Sequence, residues 1–465
     1  MTDNSTICAV STPPGSGGVA VIRVSGPDAI KNVDTIYLPL KGEKSLESQK
    51  SYTLSFGSIM KDDDILDEVL LAVYREPNSF TGENIVEIFC HGSVFIQQEI
   101  LKLLIENGCN LAAPGEFTQR AFLNGKMDLS QAEAVADVIA SSSRASHKLA
   151  MNQMRGGFSK ELAALRSQLL HFVSMIELEL DFGEEDVEFA DRTKLIELTE
   201  NIKKLIAKLV ESFSLGNAIK SGIPVVIVGE TNAGKSTLLN LLLNEDKAIV
   251  SDIHGTTRDV IEDVVNVNGI SFRFIDTAGI RESQDEIETI GIERTFQKID
   301  QASIVVWLID TTHFNTEIEY IADQIVPRTT EKKLIIVFNK IDKISQDEQA
   351  ILEEEFLPHI PAERIYLSAK YKTNTEKLEH ALLQAACLPE INENDVIVSN
   401  IRHYESLKKS LASIERVEEG LKTGLSADFI SQDIRECMHY LGEITGEIST
   451  DEVLGNIFRN FCIGK

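Results

Sequence analysis

Between residues 229 and 370, a few short strings carry the residue types needed to hold a nucleoside triphosphate. The apolar run Pro224-Val225-Val226-Ile227-Val228 leads into Gly229-Glu230-Thr231-Asn232-Ala233-Gly234-Lys235-Ser236, and Thr237-Leu238-Leu239-Asn240 follows. This is G-x-x-x-x-G-K-S between a strand and a helix, the context the motif requires. Its glycines let backbone N–H groups close on phosphates at a helix N-terminus. Lys235 reaches the β- and γ-phosphates, and the Ser236 hydroxyl ligates Mg²⁺. In Gly255-Thr256-Thr257-Arg258-Asp259 a Thr hydroxyl, assigned to Thr257, completes the metal shell. After the strand Phe272-Arg273-Phe274-Ile275 comes Asp276-Thr277-Ala278-Gly279, with Asp276 placed to hold the metal through water and the Gly279 N–H to meet the γ-phosphate.

A further string selects the base. Leu334-Ile335-Ile336-Val337-Phe338 runs into Asn339-Lys340-Ile341-Asp342. The Asp342 carboxylate can accept both N1–H and N2–H₂ of guanine, donors that adenine does not present together. Ser368-Ala369-Lys370, after the strand Arg364-Ile365-Tyr366-Leu367, adds base contacts. The expected GTP contacts are therefore Asn232 through Thr237, the loop Ser251-Asp252-Ile253-His254-Gly255-Thr256-Thr257, Asp276 through Gly279, Asn339, Lys340, Asp342 and Ser368 through Lys370. In Ras-like switches a Gln after D-x-x-G orients the attacking water. Ile280 stands there and can neither accept nor donate, so the acidic stretch from Arg281 to Glu293 is expected to supply that group. Asn232 and the loop from Ser251 to Thr256 also offer oxygens beside the phosphates, and such ligands suit a hard monovalent cation.

These loops need a parallel sheet to position them, and residues 221–384 alternate strand and helix accordingly. Helical patterns flank that segment, over 126–220 and again over 385–465. Within the first, Ser130 and Glu133 read as a capping box, and Leu162, Leu165, Leu169, Phe172, Val173 and Ile176 hold helical spacing. Residues 1–125 read as a small α+β domain, with strands over 17–24 and 84–90 and a helix over 93–107 stopped by Gly108. The fold class is thus multidomain: an N-terminal α+β domain, an all-α helical domain, and an α/β P-loop GTPase domain inserted into it. The eight carboxylates of 177–191, with no base among them, read as a solvated loop between helices.

Composition narrows the function. With 45 Lys+Arg against 73 Asp+Glu, the net charge of −28 opposes nucleic-acid binding over a broad face. Contact with RNA is expected through a local patch or a basic partner. The six cysteines show neither C-x-x-C nor zinc spacing and read as reduced cytosolic thiols. The first residues lack the pattern of a signal peptide, and no apolar run reaches the ~20 residues that span a membrane. A cytoplasmic protein without a membrane partner is expected.

The chain strongly resembles the tRNA-modification GTPase family MnmE, also called TrmE, over nearly its whole length. The resemblance rests on Ser79-Phe80-Thr81-Gly82-Glu83, Glu87, His91-Gly92, Pro114-Gly115-Glu116-Phe117-Thr118, Arg120-Ala121-Phe122-Leu123-Asn124-Gly125-Lys126 and the tail Phe461-Cys462-Ile463-Gly464-Lys465. Cys462 also outlines a prenylation box, which Gly464 and Lys465 fit poorly. The resemblance implies a homodimer in which residues 1–125 dimerise and bind 5-formyl-tetrahydrofolate or a related folate through Arg23, Glu87 and Lys126, with Lys465 nearby. It implies K⁺ held by Asn232, Ser251, Ile253 and Thr256, and Glu288 as the catalytic residue that positions the water. It further implies addition of an aminomethyl or carboxymethylaminomethyl group to the wobble uridine of tRNA, in a complex with the FAD-dependent partner MnmG, through which tRNA is bound. Thr231 replaces the family's usual Pro, Ser251 a common Thr and His254 a frequent Ala; no required group is lost. Two rivals remain: a ribosome-assembly GTPase, which a basic RNA-binding appendage would favour, and a folate-dependent one-carbon transferase whose GTPase only regulates.

Overall fold

The computed structural model describes residues 5–40, 45–181, 192–230, 232–246, 263–275, 296–313, 317–356, 360–387, 395–459 and 461–464. The chain divides into two compact units, one of 1–139, 151–206 and 405–465, the other of 140–150 and 207–404.

The first unit is built on a seven-stranded sheet. Its strands are β1 (Ile7–Val10), β2 (Val19–Ser25), β3 (Tyr37–Pro39), β4 (Thr53–Lys61), β5 (Asp64–Tyr74), β6 (Ile85–His91) and β7 (Asn110–Leu111), in the order β3-β4-β5-β6-β2-β1-β7. Alternation along β2 sends Ala20, Ile22 and Val24 into a core closed by the helices Ala29–Asp34 and Val94–Glu106. The second helix ends where expected, at Asn107, because Gly108 takes a left-handed φ of +94°. The other face is covered at β1 by the helix Glu116–Leu123, where Phe117 packs on Ile7 and Ala9.

The helical elements include Leu129–Ala140, Gly157–Asp181, Ala427–Thr445 and Asp451–Arg459. The second runs on through Glu177 to Asp181, where a loop was expected, and the rest of that acidic stretch, 182–191, lies outside the described residues. The start of the first differs from expectation. Ser130 is buried inside the helix and donates to Asp128 Oδ1 at 2.8 Å. Asp128 is the cap: its Oδ1 accepts from Gln131 N (3.0 Å), and Gln131 Oε1 accepts from Asp128 N (3.0 Å). The reciprocal pattern is a capping box shifted two residues upstream, and Asp competes with Ser for that position on equal terms. Leu162, Leu165, Leu169, Phe172, Val173 and Ile176 are all buried, as their spacing requires.

The second unit carries a six-stranded sheet of β8 (Ile223–Val228), β9 (Asp263–Val267), β10 (Ile270–Phe274), β11 (Ile304–Asp310), β12 (Lys333–Asn339) and β13 (Glu363–Tyr366), in the order β13-β12-β11-β8-β10-β9. Every pairing is parallel except the β9–β10 hairpin. Two apolar clusters cover its two faces, one around Leu238, Phe272 and Leu382, the other around Trp307, Ile318 and Phe338. The burial of both faces explains the continuous Val/Ile runs of β8, β11 and β12. Chain order reverses between β8 and β11, so the loop after β8 lies at a topological switch point, where such sheets bind ligands.

Candidate functional site

The phosphate loop leaves β8 at Gly229, whose φ of +152° and whose approach to Leu308 exclude a side chain: a Cβ would stand 2.2 Å from the Leu308 carbonyl oxygen. Gly234 is equally constrained, with φ +101° and Asn339 Nδ2 2.3 Å from where its Cβ would lie. The helix Lys235–Asp246 then begins. Lys235 Nζ donates to the carbonyls of Gly229 (2.7 Å) and Glu230 (2.8 Å), so the ammonium is folded over the loop that would cradle phosphates. Burial holds its pKa below the ordinary lysine value. Ser236 and Thr237 follow in the first helical turn.

Asn339 fastens the site together. It is 3% exposed; its Nδ2 donates to the Ala233 carbonyl (2.8 Å) while its Oδ1 accepts from Ala369 N (3.0 Å). One side chain thus joins the phosphate loop to the loop Ser368-Ala369-Lys370. That loop is closed by paired backbone bonds between Ser368 and Thr373 (both 3.1 Å), and the Ser368 hydroxyl donates to Asp342 Oδ1 at 2.6 Å. The bond orients the Asp342 carboxylate through one of its two oxygens. Lys370 lies exposed with its ammonium 5.1 Å from the Tyr371 ring centre.

Ser251 through Thr257, Asp276 through Gly279, and Glu288 lie outside the described residues. What precedes Asp276 is anchored: Ile275 N donates to the Val225 carbonyl at 2.9 Å, continuing β10 alongside β8.

A second constellation forms in the first unit by strand register. Arg23 on β2 faces Glu87 on β6, and the guanidinium Nε and Nη2 both donate to Glu87 Oε1, at 2.9 and 2.8 Å. The guanidinium carbon lies 5.5 Å from the Phe80 ring centre and 5.6 Å from that of Phe117. Glu87 Oε2 accepts from the Tyr74 hydroxyl at 3.4 Å, and burial first, then the Glu87 charge, raises the Tyr74 pKa. Lys126 Nζ donates to the Pro77 carbonyl (2.9 Å) and its stem runs beside Gly82, so it borders the same Pro77–Glu83 loop. That loop is held by Arg120, which donates to Glu83 (3.1 Å), Glu116 (2.8 Å) and the Ser5 carbonyl (2.8 Å).

The C-terminal tail reaches this domain. The Ser11 hydroxyl donates to the Gly464 carbonyl (3.0 Å) and Gly115 N to the Cys462 carbonyl (3.4 Å). Gly464 has φ +89°, and a Cβ there would lie 2.2 Å from the Val10 carbonyl oxygen. Cys462 is exposed, and Lys465 lies outside the described residues.

Two family models match. One described as the GTP-binding protein TrmE N-terminus covers residues 6–126, and one described as the MnmE helical domain covers 129–462. The tRNA modification GTPase MnmE of Bacteroides fragilis strain YCH46 is 59% identical over 465 residues, covering 100% of each chain. The chain belongs to the tRNA modification GTPase MnmE family. That of Flavobacterium johnsoniae is 53% identical over 468 residues, again across 100% of both. Among solved structures, Aquifex aeolicus Era bound to GDP and AlF₄⁻ aligns at 30% identity over 41% of this chain and 66% of its own, with a TM-score of 0.27.

As an MnmE-family GTPase the chain hydrolyses GTP, and GTP with Mg²⁺ is the ligand set its phosphate loop serves. The structure brings Asn232, Ala233, Gly234, Lys235, Asn339, Lys340, Asp342, Ser368 and Ala369 together, and separately Arg23 with Glu87. Sequence reasoning missed Tyr74 and the ring of Phe80 beside Arg23, because only strand register and a loop turn bring them there. It also missed Asp310, whose signal was available: a carboxylate closing an otherwise apolar strand at the nucleotide end of the sheet. Among the described residues no helix is long and apolar enough to cross a membrane, and all six cysteines are free.

Proposed function

We propose that this chain couples GTP hydrolysis to the addition of an aminomethyl or carboxymethylaminomethyl group to the wobble uridine of tRNA. It does so with the FAD-dependent partner MnmG, which supplies most of the tRNA contact, in the cytoplasm. One observation carries the reading: family similarity that runs the full length, joined to a nucleotide site whose base loop and phosphate loop are linked through Asn339. The charge of −28 favours a partner-borne RNA surface.

The residues suit the groups the reading invokes. Ser236, with Thr257, would hold Mg²⁺, which neutralises charge on the β- and γ-phosphates. Asn232, with Ser251, Ile253 and Thr256, would hold K⁺, which supplies positive charge where other GTPases use an arginine. Asn232 is already in a left-handed conformation (φ +67°) with its carbonyl held by Lys340 Nζ at 2.8 Å. Glu288 would orient the water in place of Ile280.

For a folate, Arg23 Nη1 is left over from the Glu87 pair as a donor, and Glu87 Oε2 carries only the long Tyr74 bond. A carboxylate on the ligand suits the first, and pterin N–H groups suit the second. Lys126 and Lys465 would add charge. The same face supports the homodimer reading. Register sets Leu54, Ala72, Glu87 and Arg23 in one row across four strands, with Phe56, Leu70, Phe89 and Val21 in the next. Leu54 is 63% exposed and Leu70 44%, an apolar surface continuous with the Arg23–Glu87 pair. A second copy of this chain, seated there, would cover both.

The test is mass analysis of wobble uridines in tRNA from cells lacking this chain. Loss of the modified uridine, restored by the intact gene but not by a Lys235→Ala version, is expected. Unchanged wobble uridines would refute the reading.

A further inference from the structure

Strand β11 ends on Asp310, a carboxylate outside both the phosphate loop and the base loop. Asp310 is 8% exposed. Its Oδ1 accepts from the Thr312 amide (2.9 Å) and hydroxyl (2.7 Å), and its Oδ2 accepts from Lys340 Nζ (2.5 Å). The same ammonium donates to the Asn232 carbonyl at 2.8 Å. Lys340 and Asn232 both stand at φ +67°, a region that residues other than glycine keep only where their surroundings fix them.

We infer that Asp310 is a positioning residue for nucleotide binding: it pins the Lys340 ammonium to the Asn232 carbonyl, and so ties the guanine-reading loop to the phosphate loop. A lysine head on a four-carbon stem prefers water to a lone carbonyl, and a buried carboxylate reverses that preference. With the clamp formed beforehand, the nucleotide meets two loops already in register. Without it, each binding event must order Lys340 and Asn232 again, which lowers affinity. The clamp touches no reacting atom and is the same in ground and transition states, so it governs KM and Kd rather than kcat.

The inference rests on residues 339–342 reading the base, and the experiment separates the two. Full-length protein is titrated with GDP in four versions: parent, Asp310→Asn, Lys340→Met, and the double variant; GTP turnover is measured alongside. Asn at 310 keeps an oxygen for Thr312 but sets an amide against the ammonium. Asp310→Asn is expected to weaken GDP binding about ten-fold, the scale of one charge-assisted hydrogen bond, with kcat at saturating GTP within about two-fold. In the Lys340→Met background it should cost nothing further. An equal loss in both backgrounds, or no loss in the parent, overturns the inference. Lys340→Met binding GDP as the parent does would instead overturn the assignment of the loop and the inference with it. Should Asp310→Asn fail to fold, Thr312→Val, which removes one bond that orients Asp310, takes its place in the same cycle with a smaller expected loss and the same deciding outcomes.

Discussion

The two sites of this chain are assembled in opposite ways. The nucleotide site is made of loops at strand ends, and its order depends on single side chains that bridge loops: Asn339 from Ala233 to Ala369, Lys340 from Asn232 to Asp310, Ser368 to Asp342. The Arg23–Glu87 site is a row on a sheet, fixed by β2–β6 register before any side chain bonds. Loops held by cross-links can open and close with a ligand. A row on a paired sheet stays put. The arrangement suits a turning-over nucleotide in one place and a preformed pocket in the other.

The largest effect should come from the cation. Hydrolysis should be fast in KCl and slow in NaCl at matched ionic strength, by up to ~10³-fold, since a positive charge at the γ-phosphoryl group is worth ~10³–10⁵. Glu288→Ala should lower kcat with GTP affinity nearly unchanged, because its interaction belongs to the transition state. Equal kcat in both salts would remove the cation, and an unimpaired Glu288→Ala would remove that residue. Neither change should alter folate binding.

Next comes Arg23→Ala. Titration of 5-formyl-tetrahydrofolate into full-length protein should show affinity lower by roughly 10–150-fold, the worth of one hydrogen bond to a charged group. GTP turnover should stay as it is. No heat with the parent protein would sink the pocket. Gly234→Ala should act on the bridging side chain instead: a Cβ 2.3 Å from Asn339 Nδ2, on a backbone at φ +101°, costs on the order of 1–3 kcal/mol. Weakened GTP binding with an unchanged folate titration is the expected result.

The smallest effect concerns Asp310. Burial pushes its pKa up, but the bonds from Lys340 and Thr312 outweigh this and hold it below the usual carboxylate range. A carboxylate so lowered contributes stability that is present above its unfolded pKa of about 3.9 and lost as pH falls through the folded value. In urea unfolding, the gap between the parent and Asp310→Asn should therefore shrink below about pH 4. A gap that widens on acidification would contradict the sign.

The contrast also explains what could be read from the sequence. Phosphate and guanine chemistry demand particular residues at short, fixed separations, so the loops from Gly229 to Ser236 and from Asn339 to Asp342 were legible, as was the parallel sheet that carries them. Arg23 and Glu87 lie 64 positions apart, and nothing in their local spacing reveals a pair; only the family resemblance pointed to them. Asp128 displaced Ser130 as helix cap because both fit the pattern, and which one starts a helix depends on the turn before it. Asp310 was marked only as the one carboxylate closing an apolar strand, and its partner Lys340 belongs to another strand's end.

Selection of guanine should rest on Asp342. Its Oδ1 is occupied by the Ser368 hydroxyl, so the other oxygen is the one expected to accept from the base edge. Replacing it with Asn puts a donor against the guanine N–H groups, a mismatch worth about 1–3 kcal/mol, or roughly 5–150-fold in affinity. Xanthine carries an oxygen where guanine has its amino group and should lose nothing. Titrating GTP and xanthosine triphosphate into the parent and Asp342→Asn proteins should therefore show a loss confined to GTP. Asp342→Asn protein that binds GTP as tightly as the parent would contradict the account.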